Sequence, residues 1–118
     1  MMKPCINQVT TLSTPFEVDI GAYAYAGWTA VEVWLTKLET YLETHSIAEA
    51  RGLLATEGIQ AVGASSQGGL LLSTGAERAA HWEDFERRLQ ILGELSVPLL
   101  VVAADFVAEP VKEDYSRA

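Results

Sequence analysis

One cysteine, two histidines and eight basic residues are all that this 118-residue chain has of the groups that most often ligate metals, act as nucleophiles or grip phosphate. With Cys5 alone, an intramolecular disulfide and a cysteine-based zinc site are excluded, and a small buried thiol is the expected role. The 8 basic residues stand against 16 acidic ones, a formal charge of −8. Such a surface repels phosphate backbones and anionic lipid, which argues against nucleic acid and membrane as partners. Long apolar runs are missing as well. Met1-Met2-Lys3-Pro4 does not open onto the apolar run of about 7–15 residues that a secretion signal needs, and no stretch approaches the roughly 20 apolar residues of a membrane span. A reducing, cytoplasmic setting is therefore expected. The Gly-x-Ser-x-Gly elbow, the His-Glu-x-x-His helix and the dinucleotide fingerprint are absent, and Ser66-Gln67-Gly68-Gly69 lacks the lysine and glycine spacing of a phosphate-binding loop.

What is present is a globular composition, 49% hydrophobic and 20% charged, enough for a single domain over residues 1–118. Four short apolar segments, Cys5–Val9, Ala30–Leu35, Ile59–Ala64 and Leu99–Ala103, alternate with helical patterning. That alternation predicts an α/β fold with a parallel sheet of about four βα units. Thr14-Pro15-Phe16-Glu17 and Ser46-Ile47-Ala48-Glu49 read as capping boxes, Thr74 as a third cap, and Gly58 as a left-handed helix stop. Lys37–Glu43 reads as a short extra helix. Trp82, Phe85, Leu89 and Leu92 recur at steps of three, four and three and predict one apolar stripe packed on the sheet. Arg78, Asp84, Arg87 and Arg88 then fall on solvated faces. Tyr115-Ser116-Arg117-Ala118 reads as the opening turn of a further helix, so the chain is expected to stop inside an element.

In parallel α/β folds, functional groups sit at the C-terminal ends of the strands. Those positions are Asn7 and Gln8, then Trp34, then Ser66 and Gln67, then Asp105. Glu32 is the most informative residue, since a carboxylate between Val31 and Val33 in a buried strand costs several kcal/mol unless it is paired or ligand-bound. A structural alternative is an arginine partner from a later strand. Asp105 can join Glu32 as a second carboxylate. His45, before a helix cap, and His81, within a helix, are expected on the surface.

The stretch Tyr25-Ala26-Gly27-Trp28-Thr29-Ala30-Val31-Glu32-Val33-Trp34 resembles the passage into the second strand of the sugar phosphate isomerase/epimerase family, the xylose-isomerase-like TIM barrels. Ile59–Ser65 resembles the family's third strand, and Val97–Val102 its fourth. The resemblance implies the N-terminal half of a (β/α)₈ barrel, which is typically about 250 residues long. It implies a divalent metal (Mn, Mg, Co or Zn) in the complete protein, held by later strands, with none expected for this chain alone. It also implies a carbohydrate or cyclitol substrate contacted by Glu32, Asn7, Gln8, Trp34, Ser66, Gln67 and Asp105. Three alternatives stand beside it: a non-catalytic half-barrel that closes by pairing with its own copy or another chain, a fragment with no function of its own, and an endonuclease-IV-like barrel. The last lacks its strand-end histidines here.

Overall fold

The computed structural model describes residues 2–105, together with Lys112 and Ser116. Its strands are β1 (Ile6–Asn7), β2 (Ala30–Trp34), β3 (Gln60–Gln67) and β4 (Leu100–Val102). Between them run α1 (Phe16–Tyr25), α2 (Leu35–Leu42), α3 (Ile47–Glu57) and α4 (Gly75–Glu94), and a 3-10 turn (Gln8–Thr11) follows β1 directly. The strands pair in parallel in the order β1-β2-β3-β4, each beside its neighbour in sequence. The core is the layer between sheet and helices, where Val31, Val33, Ala61 and Ala64 meet Phe16, Ile20, Leu38, Leu54 and Leu92. The alternation of apolar strand and helical pattern thus gave the correct fold class. The expected helix at Tyr115 lies, apart from Ser116, outside the described residues.

Local signals were followed unevenly. Ser46 and Glu49 form the reciprocal capping box, and Gly58 ends α3 with a φ of 66°. At the starts of α1 and α4 the expected caps are not made. Pro15 rather than Thr14 precedes α1, and Thr74 holds the capping position of α4 without a side-chain hydrogen bond. On α4 only Leu92 of the proposed stripe is buried, while Trp82 and Leu89 are 40% and 45% exposed. At 100° per residue, the half-buried side of α4 runs through His81, Phe85, Arg88 and Leu92, with Trp82 and Leu89 on its flank. Arg88 takes part in that side because its Nε donates to Glu39 Oε1 at 2.6 Å and its Nη1 to Gln67 Oε1 at 3.0 Å. Arg87 also pairs with Glu39, at 3.0 Å. These arginines brace α4 against α2 instead of facing only water.

The exit of β1 is fixed by a buried ion pair that no local pattern announced. Lys37 of α2 lies 2.6 Å from Asp19 of α1, and both side chains are almost fully buried. The Lys37 ammonium also donates to the carbonyls of Gln8 at 3.0 Å and Thr11 at 2.5 Å. Asp19 accepts from Gln8 Nε2 at 3.0 Å and from the Thr11 hydroxyl at 2.7 Å. Because Thr11 gives its proton to Asp19, the Tyr23 hydroxyl must be the donor in its contact with Thr11. Gln8 completes the set by accepting from the Trp34 backbone at 3.0 Å. Removing one member of a buried pair strands the other's charge. Asp19→Asn is expected to lower the unfolding free energy by about 3–5 kcal/mol in urea denaturation, whereas Glu86→Gln on the exposed side of α4 changes it by less than about 0.5 kcal/mol.

Candidate functional site

Strand alternation sends Val31 and Val33 into the core and leaves Glu32 and Trp34, both half-buried, on the opposite face of the sheet. Glu32 pairs in register with Asn7 on one side and Gly63 on the other. The Asn7 side-chain amide donates to Glu32 Oε2, and to Ser65 Oγ at 3.3 Å. The other end of the same amide accepts from Val9 N at 2.8 Å, capping the 3-10 turn, so its orientation is fixed. No lysine or arginine pairs with Glu32 among the described residues. Asn7, Glu32 and Ser65 are therefore joined by hydrogen bonds on the inner face, with Ser65 itself buried.

Other expected site residues are placed elsewhere. Gln8 is fully buried in the Lys37–Asp19 network, away from the strand-end surface. Gln67 is buried too, held by Arg88 and donating to the Gly68 carbonyl at 2.8 Å. Asp105 turns its carboxylate onto the loop after β3, accepting from the backbone N–H of Gly69 at 2.5 Å, Leu72 at 2.7 Å and Leu71 at 3.1 Å. It holds that loop and makes no pair with Glu32. Cys5, expected to be buried, is exposed. Partial burial of its sulfur and the charge of Glu32 raise the thiol pKa above its ordinary value, the opposite of an activated nucleophile.

Ser66 opens onto a pocket of about 460 Å³ at the ends of β3 and β4, shared with Gly69, Ser73, Glu77, His81 and Asp105. His81 was expected on the surface; instead its ring is half-buried against the loop, and a Cβ built on Gly69 would come within 2.4 Å of it. Gly69 also has a φ of 77°, so the position calls for glycine twice over. The sequence signal for this histidine was its position four residues after Glu77, on the helix that follows the Gly-Gly loop. Trp34 lines a second groove, of about 550 Å³, between the turn before α1 and α2, floored by Phe16 and Tyr41. His45 stacks on Tyr41 there, ring centroids 4.1 Å apart. Among the described residues, no three His, Cys, Asp or Glu side chains converge to hold a metal ion. The described residues do not by themselves fit a metal centre.

The same architecture is found in solved structures along nearly the whole chain. The IolI protein with a bound zinc atom matches with a TM-score of 0.85 and 19% identity, over 97% of this chain and 42% of that one. D-Psicose 3-epimerase, solved in the presence of D-fructose, matches at 0.70 and 26% identity, over 98% of this chain and 44% of its own. A xylose isomerase-like TIM barrel/4-hydroxyphenylpyruvate dioxygenase fusion protein matches at 0.76 and 22%, over 97% and 18%. The chain has the xylose-isomerase-like TIM-barrel fold, as four consecutive parallel strands with the helices between them, and it spans less than half the length of these proteins. No family model and no curated protein matches it.

The Asp105 clamp sets an acid limit on the loop. Burial works to raise its pKa, but the N–H groups of Leu72, Gly69, Leu71 and Ser73 together outweigh it and hold the carboxyl below its ordinary value. A depressed folded-state pKa contributes stability above the unfolded value of 3.8 and loses it as pH falls through the folded value. Protection of the Leu71 and Leu72 amides against exchange, taken relative to the intrinsic rate at each pH, is expected to be high at neutral pH and to fall below about pH 4. In Asp105→Asn that protection is low throughout, and unfolding free energy falls by about 1–3 kcal/mol.

Proposed function

We propose that this chain is the N-terminal portion of a metal-dependent sugar or cyclitol isomerase/epimerase and supplies one wall of its substrate site. The observation that carries this reading is Glu32, half-buried on the inner face of β2, oriented by Asn7 and paired with no cation among the described residues. A carboxylate so placed accepts hydrogen bonds from the hydroxyl groups that a polyol brings, with Ser66 and Trp34 each lining a cavity at a neighbouring strand end. The chain's likeness to an epimerase solved with D-fructose supports the substrate class, and its likeness to a zinc-bound protein supports the metal. In this reading Glu32, Asn7, Trp34 and Ser66 contact substrate, while Gln8, Gln67 and Asp105 position them. The divalent metal and the proton-transfer groups belong to strands beyond those described, so the 118-residue chain alone binds sugar weakly and does not turn it over. A cytoplasmic setting and the absence of nucleic-acid and membrane partners belong to the same proposal; no described helix is long and apolar enough to cross a membrane.

Isothermal titration with D-fructose and with myo-inositol tests the reading. Glu32→Gln is expected to weaken binding of whichever compound binds by roughly 10- to 100-fold, as loss of a charged hydrogen-bond acceptor implies. Unchanged affinity in a folded variant rejects the site.

A second reading, a half-barrel that closes against a second (β/α)₄ unit, is favoured by where the exposed apolar residues lie. Val9, Leu12, Val18 and Tyr25 lie on β1, α1 and their connection, and Trp82, Leu89, Leu99, Val101 and Val102 lie on α4, β4 and their connection. Both lateral edges are apolar and the middle of the helical layer is not. Uncovered patches of this kind drive association. Sedimentation velocity is expected to show self-association that Trp82→Glu reduces, and a monomer at all concentrations rejects this reading.

A further inference from the structure

The loop between β3 and α4 is built around one side chain that neither the sugar-site reading nor the sheet uses. His81, in the second turn of α4, lies against Gly69, where any Cβ would collide with the imidazole. The loop cannot retreat, because Asp105 holds three of its backbone N–H groups and the Ser73 hydroxyl donates to the Gly69 carbonyl. The ring is therefore seated by a preorganised wall. It is 37% exposed, and it lines the pocket of about 460 Å³ that Ser66 enters from the end of β3. His81 Nε2 lies 3.7 Å from Glu77 Oε1, beyond hydrogen-bond range, so that contact leaves its donor and acceptor capacity unspent.

The pocket's chemistry restricts what it takes. Glu77 and Asp105 bring two carboxylates, Ser66 and Ser73 two hydroxyls, and His81 the imidazole. The nearest arginine, Arg78, donates instead to the carbonyls of Leu71 at 3.2 Å and Ser73 at 3.4 Å. An anion meets like charge here, whereas a neutral hydroxyl can both donate to a carboxylate and share a hydrogen bond with the imidazole. We propose that His81 is a ligand-contacting residue, with Ser66 and Glu77, in a strand-mouth subsite for a neutral polyhydroxyl compound. This assignment rests on the sugar-site reading and adds to it a second set of contacts, on β3 and α4, and a preference against phosphate.

The test is NMR titration of the full 118-residue chain with D-fructose, with inorganic phosphate in parallel, following the His81 ring and the backbone amides of Asn7 and Glu32. Saturable shifts of the His81 ring with D-fructose, and none with phosphate, are expected. His81→Phe keeps a ring over Gly69 and removes its hydrogen bonds; it is expected to weaken D-fructose binding roughly 2- to 10-fold at an unchanged melting temperature, with His81→Gln recovering part of the loss. Shifts at Asn7 and Glu32 with none at His81, and a His81→Phe variant that binds like the parent, overturn this subsite and leave the Glu32 site standing. Phosphate shifting His81 where D-fructose does not overturns the neutral-polyol class. No response to D-fructose anywhere rejects the sugar-site reading and the subsite with it.

Discussion

A buried ammonium sets the geometry of this half-barrel. Taking Lys37 and Asp19 out of water is tolerable only if every proton and lone pair finds a partner. Lys37 has three protons to give, and Asp19, the Gln8 carbonyl and the Thr11 carbonyl receive them. Meeting that demand draws the chain after β1 into a 3-10 turn and locks α1, α2 and the end of β2 together through Gln8. Asn7, the last residue of β1, caps that same turn, and its amide reaches Glu32. The inner-face carboxylate is thus aimed by a charge pair on the other side of the turn. A core this small has few apolar contacts to spare for positioning, and a saturated ion pair supplies directionality that hydrophobic burial lacks.

The sequence disclosed the repeat better than the details of its ends. Strand and helix alternation, the Ser46 capping box and the Gly58 stop are local signals, and each is found as expected. Gln8 and Gln67 were assigned to the strand-end surface from their place at the ends of the first and third strands, and both turn inward for visible reasons. The 3-10 turn begins at Gln8 and ends the strand's alternation there. Along β3, the three steps from Ala64 to Gln67 match only two along β4, from Leu100 to Val102. The extra residue brings Gln67 to the side of the sheet that carries Ala64, the helical side, where Arg88 meets it. Glu32 also borders a register shift, but there the extra residue, Val62, falls on β3, so the alternation along β2 is kept and Glu32 was legible.

Pairings across long stretches of sequence were not legible at all. Asp19 and Lys37 lie eighteen residues apart, Glu39 and Arg88 forty-nine, and Gly69 and Asp105 thirty-six, and no periodicity links such partners. The same blindness misplaced the apolar stripe of α4, since spacing alone cannot show that Arg88 and His81 acquire partners that bring them under cover. What the sequence did carry was indirect. A glycine pair before the helix and a glutamate four residues before a histidine mark where a bulky ring needs room.

The fate of the cations ties the charge balance to the proposed substrate. Lys37 is spent on Asp19, Arg87 and Arg88 on Glu39, and Arg78 on the loop carbonyls and the face of Trp82, 5.9 Å from its ring centroid. Each is fixed to the protein's own acceptors, several of them backbone carbonyls. The strand ends keep Glu32, Glu77 and Asp105 together with hydroxyl and amide groups. The formal charge of −8 is in this sense not spread evenly, because the described cations that brace the helices and the loop are withheld from the strand mouth. A surface rich in acceptors and poor in available cations gains most from a ligand with many neutral hydroxyl donors, and that is the chemistry a polyol brings.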